Sequence, residues 1–433
     1  MASDTPFFTE NLSCVLSQLF APDYKISSTV VLRDVVQANA RGTLLSVSAA
    51  TANRPVVTEK IFVKIVDAVT YGRKKSWIDL RRTLVYARTE ARFYSEFLPA
   101  LRRRLAETDG VGRNHLSWML APTCHHVSCC LGDLVPEDER PEATPDPSYP
   151  VPPLEILRGV GARIVLRAAT PDAWTQASPL APGLAGRCLR ALAQFHAASA
   201  GDSTLLHRAA DRLGRHGGSH HLSVRNSSEL EGIERSWEKF AGEFACVAPP
   251  GFFEELRSFG TRIGAIAAWA SDRLSPSPDD ARATIVHGDY KAMNVFLPVD
   301  DGHGDGLPIM IDFASAGVGN GMSDVAMHIT HAVVPADLAG KGEARLVDVY
   351  LEELHTFRGH YNDAAAHRDY RIACVDYCRF VLGRFWAKAS IKSFKKNAEN
   401  QNVTLVNRSW EAAEAFIRRV EDYMSEFELE LCK

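Results

Sequence analysis

The stretch from Ile285 to Phe313, IVHGDYKAMNVFLPVDDGHGDGLPIMIDF, constrains the folding of this chain more tightly than any other. Ile285 and Val286 deliver His287-Gly288-Asp289 into a loop, and Asn294 opens an apolar run, Val295-Phe296-Leu297, that reads as a strand. The acidic, glycine-rich segment from Asp300 to Gly306 reads as a hairpin turn, after which Ile309-Met310-Ile311 returns as a second strand ending on Asp312. Such a hairpin sets Asp312 beside Asn294.

Phosphoryl transfer from ATP needs such a grouping, because its barrier falls when an acceptor hydroxyl is aligned and phosphate charge is neutralised by magnesium. Asp289 suits the task of orienting the hydroxyl and accepting its proton. The amide oxygen of Asn294 and the carboxylate of Asp312 are hard oxygen ligands suited to magnesium. The D-x-x-x-x-N spacing alone says nothing, but H-G-D, an Asn five residues on, a hairpin and then apolar-apolar-Asp-Phe form a specific composite. The plain alternative is a polar loop between core strands.

The composite resembles the aminoglycoside phosphotransferase and choline kinase superfamily, whose protein-kinase-like fold holds its reaction centre on HGD-x-x-x-x-N and a downstream Asp-Phe or Asp-Trp. Within it the chain is most similar to the ecdysteroid-kinase-like, choline-kinase-like small-molecule kinases. The resemblance implies an α+β, bilobal protein: a β-rich nucleotide-binding lobe over residues 1–168 and a larger, mostly helical catalytic and substrate-binding lobe over 169–433.

The pattern along the chain agrees. An amphipathic helix is predicted over residues 7–22, strands over Ser27–Val35, Gly42–Ala50 and Ile61–Val66, then a long helix bearing Tyr86, Glu90, Phe93, Tyr94 and Phe97. Two further strands are predicted near Leu116–Val127 and Ala162–Leu166. The proline- and acid-rich stretch near 132–155 between them reads as a solvent-exposed insertion.

Lys64 stands alone in the apolar run Ile61-Phe62-Val63-Lys64-Ile65, where its charge is costly to bury without an anion. The resemblance implies that Lys64 meets the nucleotide phosphates and that Glu90 holds it; the competing readings are an edge-strand lysine reaching water and a solvated helix glutamate. The turn from Asn39 to Ser46 would lie over the phosphates, with Gly42 allowing close backbone approach and Thr43 or Ser46 donating to phosphate oxygens, although an ordinary hairpin reads equally well. Leu166 and Ala168 fall where the hinge would meet adenine, in a strand that lacks the family's usual acidic pair. His287 is expected to pack beneath the loop, and His328 and His331 to be core or surface histidines; Asp324 resembles the family's aspartate at the N-terminus of the following helix and reads equally as a plain N-cap, a structural residue either way.

A chain of 433 residues is long enough for two cored lobes, and 46% hydrophobic with 24% charged residues is ordinary for a globular protein. The net charge of −4 disfavours a nucleic-acid or acidic-membrane binder. Nine scattered cysteines point to a reducing compartment. Cys124, His125, His126, Cys129 and Cys130 make a poor zinc site, because adjacent ligands on a strand face opposite ways. No signal peptide or membrane span is visible, so a cytoplasmic protein is expected, its oligomeric state open.

For the acceptor, the segment Tyr370–Trp386 offers Tyr377, Phe385 and Trp386 with Asp376 as an anion, a set that suits a quaternary amine or, equally, an aromatic helix face in the core. Sterol-like, sugar-like, amino-alcohol and antibiotic acceptors stay open. Two other classes compete: a catalytically silent nucleotide or metabolite binder, and a metal-dependent hydrolase using His287, Asp289 and Asp312.

Overall fold

The computed structural model describes residues 12–37, 39–52, 54–109, 120–137, 139, 150–299, 306–358 and 362–431. The expected α+β, bilobal arrangement is the one the chain adopts. Strands β1 (Lys25–Val36), β2 (Arg41–Thr51) and β3 (Arg54–Asp67) form a meander, and β4 (Cys124–Cys130) and β5 (Gly161–Arg167) complete an antiparallel sheet of order β1-β2-β3-β5-β4. Of the predicted N-terminal helix, 7–11 lie outside the described residues and the remainder is the short α1 (Leu12–Ser17). Residues 116–119 of the predicted fourth strand also lie outside them.

Side-chain alternation on β3 divides its two faces. Ile61 and Val63 join Leu45, Val47 and Val165 in a small core covered by Val15 and Leu16 of α1. Lys64 leaves by the opposite face, toward the helices that follow. These are α2 (Ala68–Gly72) and α3 (Trp77–Arg92), the latter started by the Ser76 hydroxyl, which accepts from the Asp79 N–H at 3.3 Å. One π turn, Phe93–Phe97, joins α3 to α4 (Leu98–Asp109).

The first part of the insertion is mostly exposed, with one anchored point. Val135 is buried, and Arg88 of α3 donates to the carbonyls of Val135 and Pro136, at 3.2 and 2.6 Å. Buried guanidinium groups need acceptors, and this segment supplies them, so it is tied to α3. Residues 138 and 140–149 lie outside the described residues.

The second lobe is helical around two small antiparallel elements. One pairs β7 (Ala283–Val286) with β10 (Gly317–Asn320); the other has the order β6 (Trp174–Thr175), β8 (Val295–Pro298), β9 (Ile309–Met310). A continuous apolar core running from Phe93 to Phe427 joins it to the helix side of the first lobe. Among the described residues, no helix is long and apolar enough to cross a membrane.

Candidate active site

The hairpin forms with the expected register. Val295 pairs with Met310 and the Ile311 N–H donates to the Asn294 carbonyl at 2.9 Å, so Asp312 emerges beside Asn294; the turn itself, 300–305, lies outside the described residues. The Asn294 amide nitrogen donates to the Asp289 backbone carbonyl at 2.8 Å and to Asp289 Oδ2 at 3.1 Å. With its NH2 group used inward, Asn294 keeps Oδ1 as its acceptor, the atom a hard cation would use.

Asp312 stands at φ 67°, ψ 60°, a left-handed conformation that costs a non-glycine residue on the order of 1–3 kcal/mol. That conformation turns its carboxylate to Lys64, whose Nζ lies 2.8 Å from Asp312 Oδ1 and 2.6 Å from Glu90 Oε2. Sequence-distant Lys64, Glu90 and Asp312 thus meet at one ammonium. Burial opposes the Lys64 charge, but Asp312 and Glu90 outweigh it and hold its pKa above the ordinary value. Burial pushes Glu90 up to about 7 despite the ammonium beside it, whereas for Asp312 Lys64 overcomes burial and keeps the carboxylate ionised. The rings behind these groups lock them together: Phe313 stacks on Phe93, one turn after Glu90, with centroids 3.8 Å apart, and meets the tilted His287 ring at 4.6 Å.

The loop carrying Asp289 is held from beneath. Asp324 is fully buried and accepts from the N–H groups of His287 at 2.7 Å and Gly288 at 2.9 Å, with His196 Nε2 at 3.2 Å on the same carboxylate. It is the third residue of the helix Met322–Ala332, whose cap is Gly321, so the plain N-cap reading is corrected while its place as a structural aspartate at this helix N-terminus stands: its carboxylate is drawn to the loop's unpaired donors. His287 donates through Nε2 to the Ile311 carbonyl, 3.0 Å away, and accepts from the Asp289 N–H through Nδ1, as expected of a packing histidine. Gly288 has φ +78°, and a Cβ there would lie 2.2 Å from the Ser315 carbonyl oxygen, so only glycine fits.

Lys291 was passed over in the sequence although it lies inside the D-x-x-x-x-N spacing. Its Nζ donates to Asp289 Oδ2 at 2.8 Å. Lys291 and Asn294 both bond Oδ2 of Asp289, and neither bonds Oδ1.

Several expected contacts move. β2 begins at Arg41, so Gly42, Thr43 and Ser46 are ladder residues rather than a turn. Gly42 pairs with Val35 and Lys64, and the Phe62 ring fills the space of its missing side chain. The Thr43 hydroxyl donates to Asp34, its cross-strand neighbour, at 2.7 Å. Leu166 is buried in β5, and the Ala168 N–H donates to the Lys60 carbonyl at 2.9 Å, because β3 extends past the end of β5; that N–H is not free for a nucleotide base.

The acceptor set is corrected more strongly. Asp376 is buried and ion-paired with Arg379 at 2.7 Å, so it faces no ligand. Trp386 is wholly buried, stacked on Phe240 at 4.4 Å and donating to the Val406 carbonyl. Tyr377 and Phe385 do line a cavity of about 660 Å³ that opens onto Asp289 and Lys291. His331, expected as core or surface, is buried in its wall, while His328 is core.

No curated protein matches the chain. Among solved structures it is similar to a microcompartment-associated aminopropanol kinase, with 12% identity over 97% of this chain and 98% of that one and a TM-score of 0.41. It is similar also to a choline kinase from Streptococcus pneumoniae, at 12% identity, 96% and 98% coverage and TM-score 0.36. An aminoglycoside-3'-phosphotransferase of type VIII has 16% identity, 84% and 98% coverage and TM-score 0.31. The family model described as "Phosphotransferase enzyme family" matches residues 133–366, a span that contains Asp289, Asn294, Asp312 and Asp324 and omits Lys64 and Glu90. That match covers more than half of the chain, and the chain belongs to the phosphotransferase enzyme family.

Proposed function

We propose that this phosphotransferase moves the γ-phosphoryl group of ATP, with magnesium, to a hydroxyl of a small molecule, the nucleotide lying between lobes that divide near residue 168. The observation that carries this reading is the ammonium of Lys64 held between Glu90 and Asp312, beside a loop that presents Asp289 and Asn294. A hydrolase needs no such buried cation, and His287, which that reading would use as a ligand, has both ring nitrogens engaged with backbone.

The residues fit a magnesium nucleotide. Asn294 Oδ1 and the Asp312 carboxylate are two hard ligands; among the described residues no group of three or more His, Cys, Asp or Glu could hold a metal, so phosphate oxygens and water would complete the shell. Bound there, the ion would neutralise phosphate charge as the terminal group departs. Lys64, kept in place by Glu90, would meet the nucleotide phosphates. Asp289 would take the acceptor hydroxyl through Oδ1, orient it and accept its proton, while Lys291 and Asn294 fix the carboxylate from its other oxygen. After Asp312-Phe313 the chain enters the helix Met322–Ala332 within nine residues, leaving no long segment to seat a protein acceptor.

Two measurements separate the readings. Magnesium and ATP together should raise Tm by several degrees through ligand linkage, and a hydroxyl compound should gain the labelled γ-phosphoryl. Stabilisation with no product from any acceptor would make the protein a nucleotide binder; no stabilisation at all would overturn the reading.

A further inference from the structure

The cavity in front of Asp289 has walls whose chemistry differs from the cation-accepting cage suggested by the sequence. Besides Lys291, it is lined by Lys74, Lys75, Arg82, Arg225, Arg384 and Lys388, against two carboxylates, Asp79 and Asp289. Neutralisation is incomplete. Arg225 and Arg384 share the single carboxylate of Glu229, Arg82 reaches Asp79 only at 3.7 Å, and among the described residues Lys388 has no ion pair. Cations converging on one concave space raise its potential and attract an anion. One ring of the aromatic wall is already taken by a cation of the protein itself, since the Arg225 guanidinium lies over Phe380, 5.3 Å from its centroid.

The cluster is distinct from the nucleotide side. Lys64, Glu90, Asn294 and Asp312 do not line this cavity; only Asp289 and Lys291 are common to both. Tyr86 ties the base to the cations, since its phenol lies within electrostatic reach of Arg82, Arg225, Arg384 and Asp289 together. A second observation comes from the cavity wall. His331 is 2% exposed; the Asn402 backbone reaches one of its ring nitrogens, and among the described residues no other hydrogen-bond partner meets the ring. Asn407 Oδ1, on the same wall, has none. Unmatched buried polar atoms are costly, and a hydroxylated ligand would satisfy Asn407 Oδ1 and the remaining His331 nitrogen. Burial keeps the His331 ring neutral at physiological pH, so it carries one donor and one acceptor, of which the Asn402 backbone takes one.

We propose that the acceptor is a small hydroxylated anion, an alcohol bearing a phosphate, sulfate or carboxylate, seated with its hydroxyl at Asp289 and its anionic group among Arg82, Arg225, Arg384 and Lys388. This rests on the phosphotransfer reading of Asp289. The acceptor O–H gives its proton to Asp289, its oxygen bonds to the γ-phosphorus, and the bond from that phosphorus to the bridging oxygen breaks to release ADP. The proton then leaves Asp289 for water.

The test has two arms. In the first, matched alcohols (glycerol 3-phosphate, glycerate, glycerol and choline) are offered with magnesium and ATP. The anionic alcohols should be phosphorylated with kcat/KM at least about tenfold above glycerol, the gain expected of one charge-assisted contact. Which anion leads identifies the group. In the second, inorganic sulfate is titrated at constant ionic strength with saturating magnesium and ADP present, on the wild type and on the double variant Arg384→Gln/Lys388→Gln. Sulfate should raise Tm of the wild type, and the variant should lose that shift while ADP still stabilises it. Preference for choline, or equal sulfate shifts in both proteins, overturns the proposal. Failure of the phosphotransfer reading would look different: no nucleotide stabilisation in either protein, with the sulfate arm still reporting on the cavity.

Discussion

The proposed reaction centre and the proposed acceptor cavity meet at Asp289, and they are built in opposite ways. Around the centre, polar atoms are matched inside the protein: Asp324 takes two loop N–H groups, His287 bridges Ile311 and Asp289, and Lys64 joins two carboxylates. Across the cavity, cations outnumber carboxylates, Asn407 Oδ1 has no hydrogen-bond partner among the described residues and the His331 ring is met only by the Asn402 backbone. A matched network fixes geometry and leaves little capacity for a ligand other than the one that replaces its internal pairs. An unmatched one is incomplete until a ligand arrives, and its composition describes that ligand.

The comparison can be broken from either side. The largest effect should come from Asp289→Asn, which removes the proton acceptor yet keeps the hydrogen-bonding shape; single-turnover transfer should slow by about 10³-fold with nucleotide affinity unchanged. A loss in nucleotide affinity of similar size would place Asp289 on the wrong side of the division. Next, Lys64→Ala should lower kcat/KM by about 10²-fold by removing the charge that meets phosphate. Its stability should fall less than the loss of a buried ion pair would suggest, because Glu90 already takes up a proton near about 7.

Asp324→Ala isolates the loop's support. Two buried N–H donors lose their acceptor, which costs about 3 kcal/mol in urea unfolding; an unchanged midpoint would mean that the network does not hold the loop. The pH response of Glu90 offers a finer probe, since burial raises its pKa from 4.5 to about 7. The folded state therefore holds a proton that the unfolded chain releases, so its contribution to stability is complete below pH 4.5 and is lost as pH rises through about 7. Catalysis should move the other way, rising through the same range as the carboxylate ionises and grips Lys64. Glu90→Gln should abolish both slopes. The smallest effect separates two neighbouring aromatics: Tyr377→Phe, which frees Thr404 on the cavity wall from the phenol, should raise the acceptor KM by roughly threefold, whereas Trp386→Phe should lower stability alone.

The same division governs what could be read from the sequence. Asp289, Asn294 and Asp312 are joined by one hairpin, so a local pattern sufficed to place them. Lys64 and Glu90 announced themselves as charges in apolar surroundings, although they lie on separate elements. The cavity draws residues from Asn39 to Asn407, and no local pattern marks such a set. Some signals were present and outweighed. Arg379 follows Asp376 by three residues, a spacing that brings the two together on a helix and neutralises the expected anion. Trp386 lies just beyond the helix end at Arg384, where a short 3-10 turn carries it into the core while Phe385 stays at the cavity. Gly42 looked like a turn residue because glycine favours turns, yet its reason here is the Phe62 ring against its backbone.

The most direct test is transfer of labelled γ-phosphoryl from ATP, with magnesium, to the compounds of a polar and apolar metabolite extract, followed by mass spectrometry beside Asp289→Asn. The account predicts a labelled phosphate monoester with the wild type and none with the variant. A monoester formed equally well by the variant, or label released only as inorganic phosphate by the wild type, would contradict it.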